Sequence, residues 1–239
     1  ATLGRLCADS RRLNPHDEPG YAATLLSALQ YAFPSQGQAL INAAHASEPG
    51  LGRWLARAWA GLDEAMREQL CETLDLPEFS VCLLDLAVDY RRAVLRAAGG
   101  DVAKWAGALN NLAVALNAQG GVEAQSEALG HAREAVEIYR QLAASQPAAY
   151  LPDLAMSLNN LANHLAEQGD AESRRQALGH AREAVTIFAQ CYTNMPAAFE
   201  HNLGIACNTL LHIAHGLDLD GREELRAALL AGGVTPAEH

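Results

Sequence analysis

The sequence predicts an all-α fold built from helix pairs stacked side by side, and three observations lead there. The first is a repeat. Leu109-Asn110-Asn111-Leu112-Ala113, Ala128 through Val136 and Pro147-Ala148-Ala149 return as Leu158-Asn159-Asn160-Leu161-Ala162, Ala177 through Val185 and Pro196-Ala197-Ala198, each 49 residues later. A constant interval of this length marks one supersecondary unit copied in register. The second is composition. Half of the residues are apolar but only 5% are aromatic, so the interior rests on Ala and Leu, which suits close-packed helices better than strands. The third is spacing, since apolar residues recur three and four apart along most of the chain.

In chain order, residues 1–75 form an N-terminal helical segment outside the 49-residue period. Asp17 is expected to cap a helix with Pro19 in its first turn, an apolar face of Tyr21, Leu25, Leu26, Leu29 and Phe33, and an end at Pro34. Ser35 opens a short helix through Ala46, broken by Glu48-Pro49-Gly50. Trp54, Leu55, Ala58, Trp59 and Leu62 follow helical spacing with the tryptophans as packing anchors, and Met66, Leu70 and Leu74 do the same.

The repeat region is placed at 76–239. A helix over 78–98 is the second half of a degenerate repeat spanning 77–100, because Tyr90 lies 49 before Tyr139, and that 49 before Phe188. The full repeats are 101–149 and 150–198. Asp101 caps the first helix, Gly120-Gly121 turns the chain, and a longer helix runs from about Val122 to Ser145, stopped by Pro147. The copy uses Pro152 at its helix start, Gly169-Asp170 as its turn and Pro196 as its stop. A partial repeat with a C-terminal cap covers 199–231. Its shorter helix, Arg222 to Leu230, departs from the pattern as a terminal unit does, and a frayed tail runs from Gly232 to His239.

Charge and cysteine usage narrow the function classes. With 17 Lys and Arg against 28 Asp and Glu, the formal net charge is −11 and no basic cluster rises against it. Nucleic acid and anionic membrane surfaces are therefore not expected partners. Cys7, Cys71, Cys82, Cys191 and Cys207 are widely spaced without a C-x-x-C, which fits buried thiols in a reducing compartment. Without a sequon, a signal peptide or a long uncharged apolar run, the expectation is a soluble cytoplasmic protein. A first residue other than Met points to a processed or shortened chain with room for flanking domains.

Leu112-Ala113 and Leu116, a glycine at 120, then Ala128, Ala132 and Ala135 with a closing proline, resemble the tetratricopeptide repeat. Leu161-Ala162, Leu165, Gly169, Ala177, Ala181 and Ala184 repeat the pattern. Alanines on one helix let the partner's leucines approach closely, and the glycine permits the turn. Two departures stand out. The unit exceeds the family's usual length of about 34 residues through a longer inter-helix turn and a longer second helix, and Leu and Ala replace the family's aromatic residues. The Leu-Asn-Asn-Leu-Ala wording is similar to the long-repeat branch of kinesin light chains and bacterial multidomain signalling proteins.

That resemblance implies a right-handed α-solenoid whose first helices line a concave groove. With Leu112 and Leu161 in the packing seam, the groove rows are Asn110, Asn159 and Asn208; Val114, Asn163 and His212; Asn117, Ala166 and His215; and Gly107, Met156 and Ile205. A row of asparagines is not explained by helix propensity. Each amide offers a donor and an acceptor to the peptide unit of an extended segment laid across the helices; alternatively the asparagines, Asn111 and Asn160 among them, bond between repeats and fix their stacking. The rows hold no Lys or Arg, so an acidic C-terminal peptide is not the expected ligand.

His201, His212 and His215 are a weak metal or hydrolase signal, with no third ligand fixed by sequence. His131 and His180 share a slot and serve packing or a solvated face, and Arg133-Glu134 and Arg182-Glu183 read as solvated pairs. No phosphate loop, nucleophile elbow or paired-carboxylate frame occurs. The expected function is a noncatalytic scaffold that binds a protein or peptide in the groove, without cofactor or metal. The alternative is the sensor or regulatory arm of a larger signalling enzyme whose catalytic domain lies outside this chain. An Ala/Leu-rich end repeat also leaves self-association open.

Overall fold

The computed structural model describes residues 19–47, 49–77 and 80–235 and is all-α, with no strand among the described residues. Asp17, Glu48, Cys7 and residues 236–239 of the tail lie outside the described residues, as do the side chains of Tyr21 and Leu25. The chain divides into two compact units, Ala1–Gly100 with Ala118–Gly120, and Asp101–Asn117 with Gly121–His239.

The first unit holds α1 (Pro19–Ser47), α2 (Pro49–Ala60), α3 (Glu64–Cys71), a 3-10 turn (Val81–Leu83) and α4 (Leu84–Ala97). Pro34 does not end α1 but sits inside it. The cause is a stripe that continues past the proline: Leu29 and Phe33 before it, and Leu40, Ile41 and Ala44 after it, are all fully buried. An interior proline costs about 3 kcal/mol, whereas burying a large aliphatic side chain contributes about 1.5–3 kcal/mol, so Leu40 and Ile41 suffice to carry the helix through.

Trp54 and Trp59 are buried packing anchors. The Trp59 ring lies 6.0 Å from Phe33 and 5.5 Å from Tyr90, and the Tyr90 hydroxyl donates to the Leu74 carbonyl. The expected helix over 78–98 is reduced to the 3-10 turn and α4. Tyr90 keeps the 49-residue frame, yet α4 packs on α2 and α3 within this unit. A division at 75/76 and the one at 100/101 therefore differ by this helix.

The second unit holds α5 (Val102–Gln119) as far as Asn117, α6 (Val122–Ser145), α7 (Pro147–Glu167), α8 (Ala171–Asn194), α9 (Pro196–His215) and α10 (Gly221–Ala231). Asp101 starts α5 by accepting from the Ala103 and Lys104 amides at 3.1 and 3.0 Å. Asp170 starts α8 in the same way, from Glu172 and Ser173 at 3.0 and 2.9 Å; hydrogen bonding by the Ser173 side chain, and then by these amides, holds its carboxyl below the usual range. Gly120, Gly121 and Gly169 adopt φ of 77°, 89° and 83°, a region that residues with a Cβ avoid; they allow the turns between α5 and α6 and between α7 and α8.

Pro147 and Pro196 do more than stop α6 and α8. Each occupies the first turn of the next helix, so single residues, Gln146 and Met195, separate the helices. The start expected at Pro152 is thus five residues too late. Pro152 lies inside α7, and the carbonyl its missing N–H would have met belongs to exposed Ala148.

Within this unit α7 packs on α6, α8 and α9, and α8 packs on α9 and α10. Ala128, Ala132 and Ala135 of α6 and Ala177, Ala181 and Ala184 of α8 are buried, as are Leu112, Leu116, Leu161 and Leu165. Alanines on α6 and α8 and leucines on α5 and α7 are thus both in the core of this unit, a composition that suits ridge-into-groove packing. α6, α8 and α10 are also tied by charge: Arg140 of α6 pairs with Glu183 of α8, and Arg182 of α8 donates to Glu224 of α10 at 2.6 Å. Exposed pairs of this kind contribute about 0–1 kcal/mol.

Candidate functional site

The groove candidates differ in exposure from one copy to the next. Asn110 and Asn159 are buried, at 9% and 2% exposure. Asn111, Val114, Asn117, Met156, Asn160 and Asn163 are half-buried, and Asn208, His212 and His215 are exposed. The accessible amide row of the two full repeats is therefore Asn111 and Asn160, one residue beyond Asn110 and Asn159. Gly107, Asn111, Val114 and Asn117 form one open stripe on α5. Asp153, Met156, Asn160, Asn163 and Glu167 form another on α7.

The stripes are cross-linked by amides. Asn160 Nδ2 donates to Asn110 Oδ1 at 3.3 Å, and Asn117 Nδ2 donates to Glu167 Oε2 at 2.7 Å. The Asn110–Asn160 bond spans 50 residues, and the same step taken one repeat later pairs Asn159 with Thr209. Threonine supplies no amide there, and Asn159 Oδ1 is buried without a hydrogen-bond partner. Asn208 is the third member of the row, and it lies open.

This break in the ladder makes a prediction. Thr209→Asn should restore the donor and raise stability by about 1 kcal/mol, since a buried acceptor left unpaired costs about 1–3 kcal/mol. Chemical denaturation measures the gain, which should vanish when Asn159 is replaced by Ala. An equal gain in both backgrounds would show that Asn159 Oδ1 is not what the new amide meets.

Further features lie near the stripes. Tyr139 of α6 and Tyr150 of α7 form a tilted ring pair, with centroids 6.5 Å apart and planes inclined by 39°. A Cβ added at Gly107 would come within 3.2 Å of the Tyr139 hydroxyl. Burial, with Asp153 and Tyr150 adding to it, pushes the Tyr139 phenol up to about 12. A groove of about 390 Å³ between the starts of α7 and α9 and the end of α8 is lined by Pro147, Leu151, Pro152, Cys191, Met195 and Phe199. Neither feature carries a sequence motif; the paired Pro147 and Pro196 were the one signal toward the groove.

The remaining candidates are distributed as follows. His201, Ile205, Asn208, His212 and His215 lie along one exposed stripe of α9, and no group of three His, Cys, Asp or Glu among the described residues is placed to hold a metal ion. His131 Nε2 lies 3.5 Å from Glu127 on its own helix. His180 is lowered by burial and by Arg140 and Arg133. Glu134 accepts from Trp105 Nε1 at 3.3 Å, while Arg182 and Glu183 join neighbouring second helices and are not merely solvated. Cys71, Cys82, Cys191 and Cys207 are free; burial pushes the Cys71 thiol up to about 11 and raises Cys191 and Cys207. No described helix is long and apolar enough to cross a membrane.

No family model matches this chain, and no curated protein or solved structure is significantly similar to it.

Proposed function

We propose that the second unit is a right-handed α-solenoid of antiparallel, tetratricopeptide-like helix pairs. In this reading it is a noncatalytic scaffold in a reducing, cytoplasmic setting, and it binds a peptide or protein segment along the open face of its first helices. The carrying observation is the pair of half-buried stripes, Gly107–Asn111–Val114–Asn117 on α5 and Met156–Asn160–Asn163 on α7, at positions 49 residues apart. Apart from Asp153 at one end, the side chains of the two stripes are amide or apolar, with Glu167 already bound by Asn117. Such a surface pairs with a peptide backbone through donor and acceptor together and does not demand one side chain. The net charge of −11 argues against nucleic acid.

Selection from a random dodecapeptide display library tests the reading. The wild-type chain should enrich a family of sequences, and Met156→Arg combined with Asn163→Arg should weaken the selected peptides at least about tenfold with an unchanged Tm. Enrichment of nothing, or equal binding by the double variant, would remove the groove from consideration.

A further inference from the structure

Tyr139, near the end of the first full repeat, and Tyr150 and Asp153, at the start of the second, make a group of side chains on α6 and α7 that does not recur 49 residues later. The Tyr139 hydroxyl stands over Gly107 and its ring lies 6.5 Å from that of Tyr150, with Asp153 one turn further along α7, whereas the positions 49 residues later are Phe188, Phe199 and Asn202, with Met156 in the place of Gly107. The copy folds with neither hydroxyls nor carboxylate there: Phe188 is buried at 1% exposure. Packing of the repeat therefore does not call for the polar version, and a methionine stands at the position of Gly107 in the copy.

Asp153 differs from the acids that tie the helices of this unit together. Glu134, Glu167, Glu183 and Glu224 each accept a hydrogen bond from a side chain on another helix. Asp153 has no such partner. Burial raises its pKa, with no cation or hydrogen bond holding it down. Lys104, the residue in the same row on α5, turns back to Asp101 at 3.9 Å. The result is a carboxylate, exposed on its outer side, beside two aromatic rings and without a counter-charge.

We propose that Asp153, Tyr139 and Tyr150 receive a basic side chain, arginine in preference to lysine, from the segment bound along the first helices. A guanidinium is planar, stacks on aromatic faces and can satisfy both oxygens of a carboxylate. Tyr150 supplies the accessible ring, Tyr139 the deeper one, and Asp153 the charge. Met156 lies one turn further along α7, so the receptor sits at one end of the amide-lined stripe and fixes the register of a segment that the amides hold without side-chain preference. This inference rests on the groove reading and adds the chemistry of one anchor.

The ionisation of Asp153 provides a control on folding. An acid whose folded pKa lies above its unfolded value favours the fold while protonated, and that contribution is lost as pH rises through the folded value. Desolvation of the carboxylate opposes folding and does not favour it, so Asp153→Asn, which has no charge to desolvate, should not lower Tm. A purely structural role would lower it.

The dodecapeptide library, panned in parallel on the full wild-type chain and on Asp153→Asn and Asp153→Glu, is the test. The wild type is expected to enrich Arg, and Lys less, at one fixed position of the winning sequences. That preference should disappear with Asp153→Asn and persist with Asp153→Glu, and the wild-type winners should bind Asp153→Asn about tenfold more weakly or worse. Winners without a fixed basic position, or a basic preference unchanged in Asp153→Asn, would overturn this receptor and leave the groove standing. If no sequence is enriched on any of the three chains, both fall.

Discussion

Gly52→Ala is expected to destabilise the first unit by about 3 kcal/mol or more. Gly52 lies in α2 where that helix meets the 3-10 turn, and an added Cβ would stand 1.7 Å from the carbonyl oxygen of Cys82 and 2.9 Å from its carbonyl carbon. Both are backbone atoms, so no side chain can swing aside. Helix and turn would have to part, uncovering Leu55 and Leu83, which are buried at 0% and 1% exposure. Gly61 supplies the comparison. Its added Cβ would also fall close, 2.0 Å from Gln30 Nε2, but that atom ends a flexible side chain held by one long bond of 3.5 Å to the Ala58 carbonyl. Gly61→Ala should therefore cost well under half as much. Urea unfolding followed by tryptophan fluorescence, to which buried Trp54 and Trp59 contribute, measures both. Equal midpoints for the two variants would show that the turn gives way freely and that its contact with α2 does not hold the unit together.

The repeat region was legible because its determinants are local and periodic. Asp101, Asp170 and Asp220 each cap the helix that follows, and the alanines at 128, 132 and 135 announce the close-packed face before any coordinates are known. The helix at Pro34 was not legible, because the local rule against an interior proline is outweighed by residues on both sides that pack onto other helices. Within the Leu-Asn-Asn-Leu-Ala word the two amides are chemically identical, and adjacent helical residues point about 100° apart. Which of them faces outward depends on how the neighbouring helix leans, and that is a tertiary fact. The Tyr139, Tyr150 and Asp153 group is spread over two helices and shares no spacing rule. It emerges only when each residue is compared with its counterpart 49 positions on.

The same comparison singles out His164, whose replacement by isoleucine is expected to stabilise the second unit by about 1–3 kcal/mol at neutral pH. Its counterparts are Ala115 and Ile213, both buried, so the slot is apolar in two of its three occurrences. The imidazole is 5% exposed and neither ring nitrogen has a hydrogen-bond partner. Isoleucine, already accommodated at 213, removes those unpaired groups without opening a large cavity. Acid should widen the difference. Burial lowers the His164 pKa below its ordinary 6.5, opposed in part by Glu167 one turn along the helix. A base with a depressed folded pKa leaves stability intact above the unfolded value, and stability is lost as pH falls from there toward the folded one. Wild-type midpoints should thus drop more steeply below about pH 6.5 than those of His164→Ile, and the two curves should converge upward toward a constant offset above it. Urea titrations at a series of pH values decide the matter. Parallel pH profiles, or a variant less stable at neutral pH, would mean that the buried imidazole is paired in solution, through a bound water or a rotated neighbour, and that the apolar slot has been adapted around it.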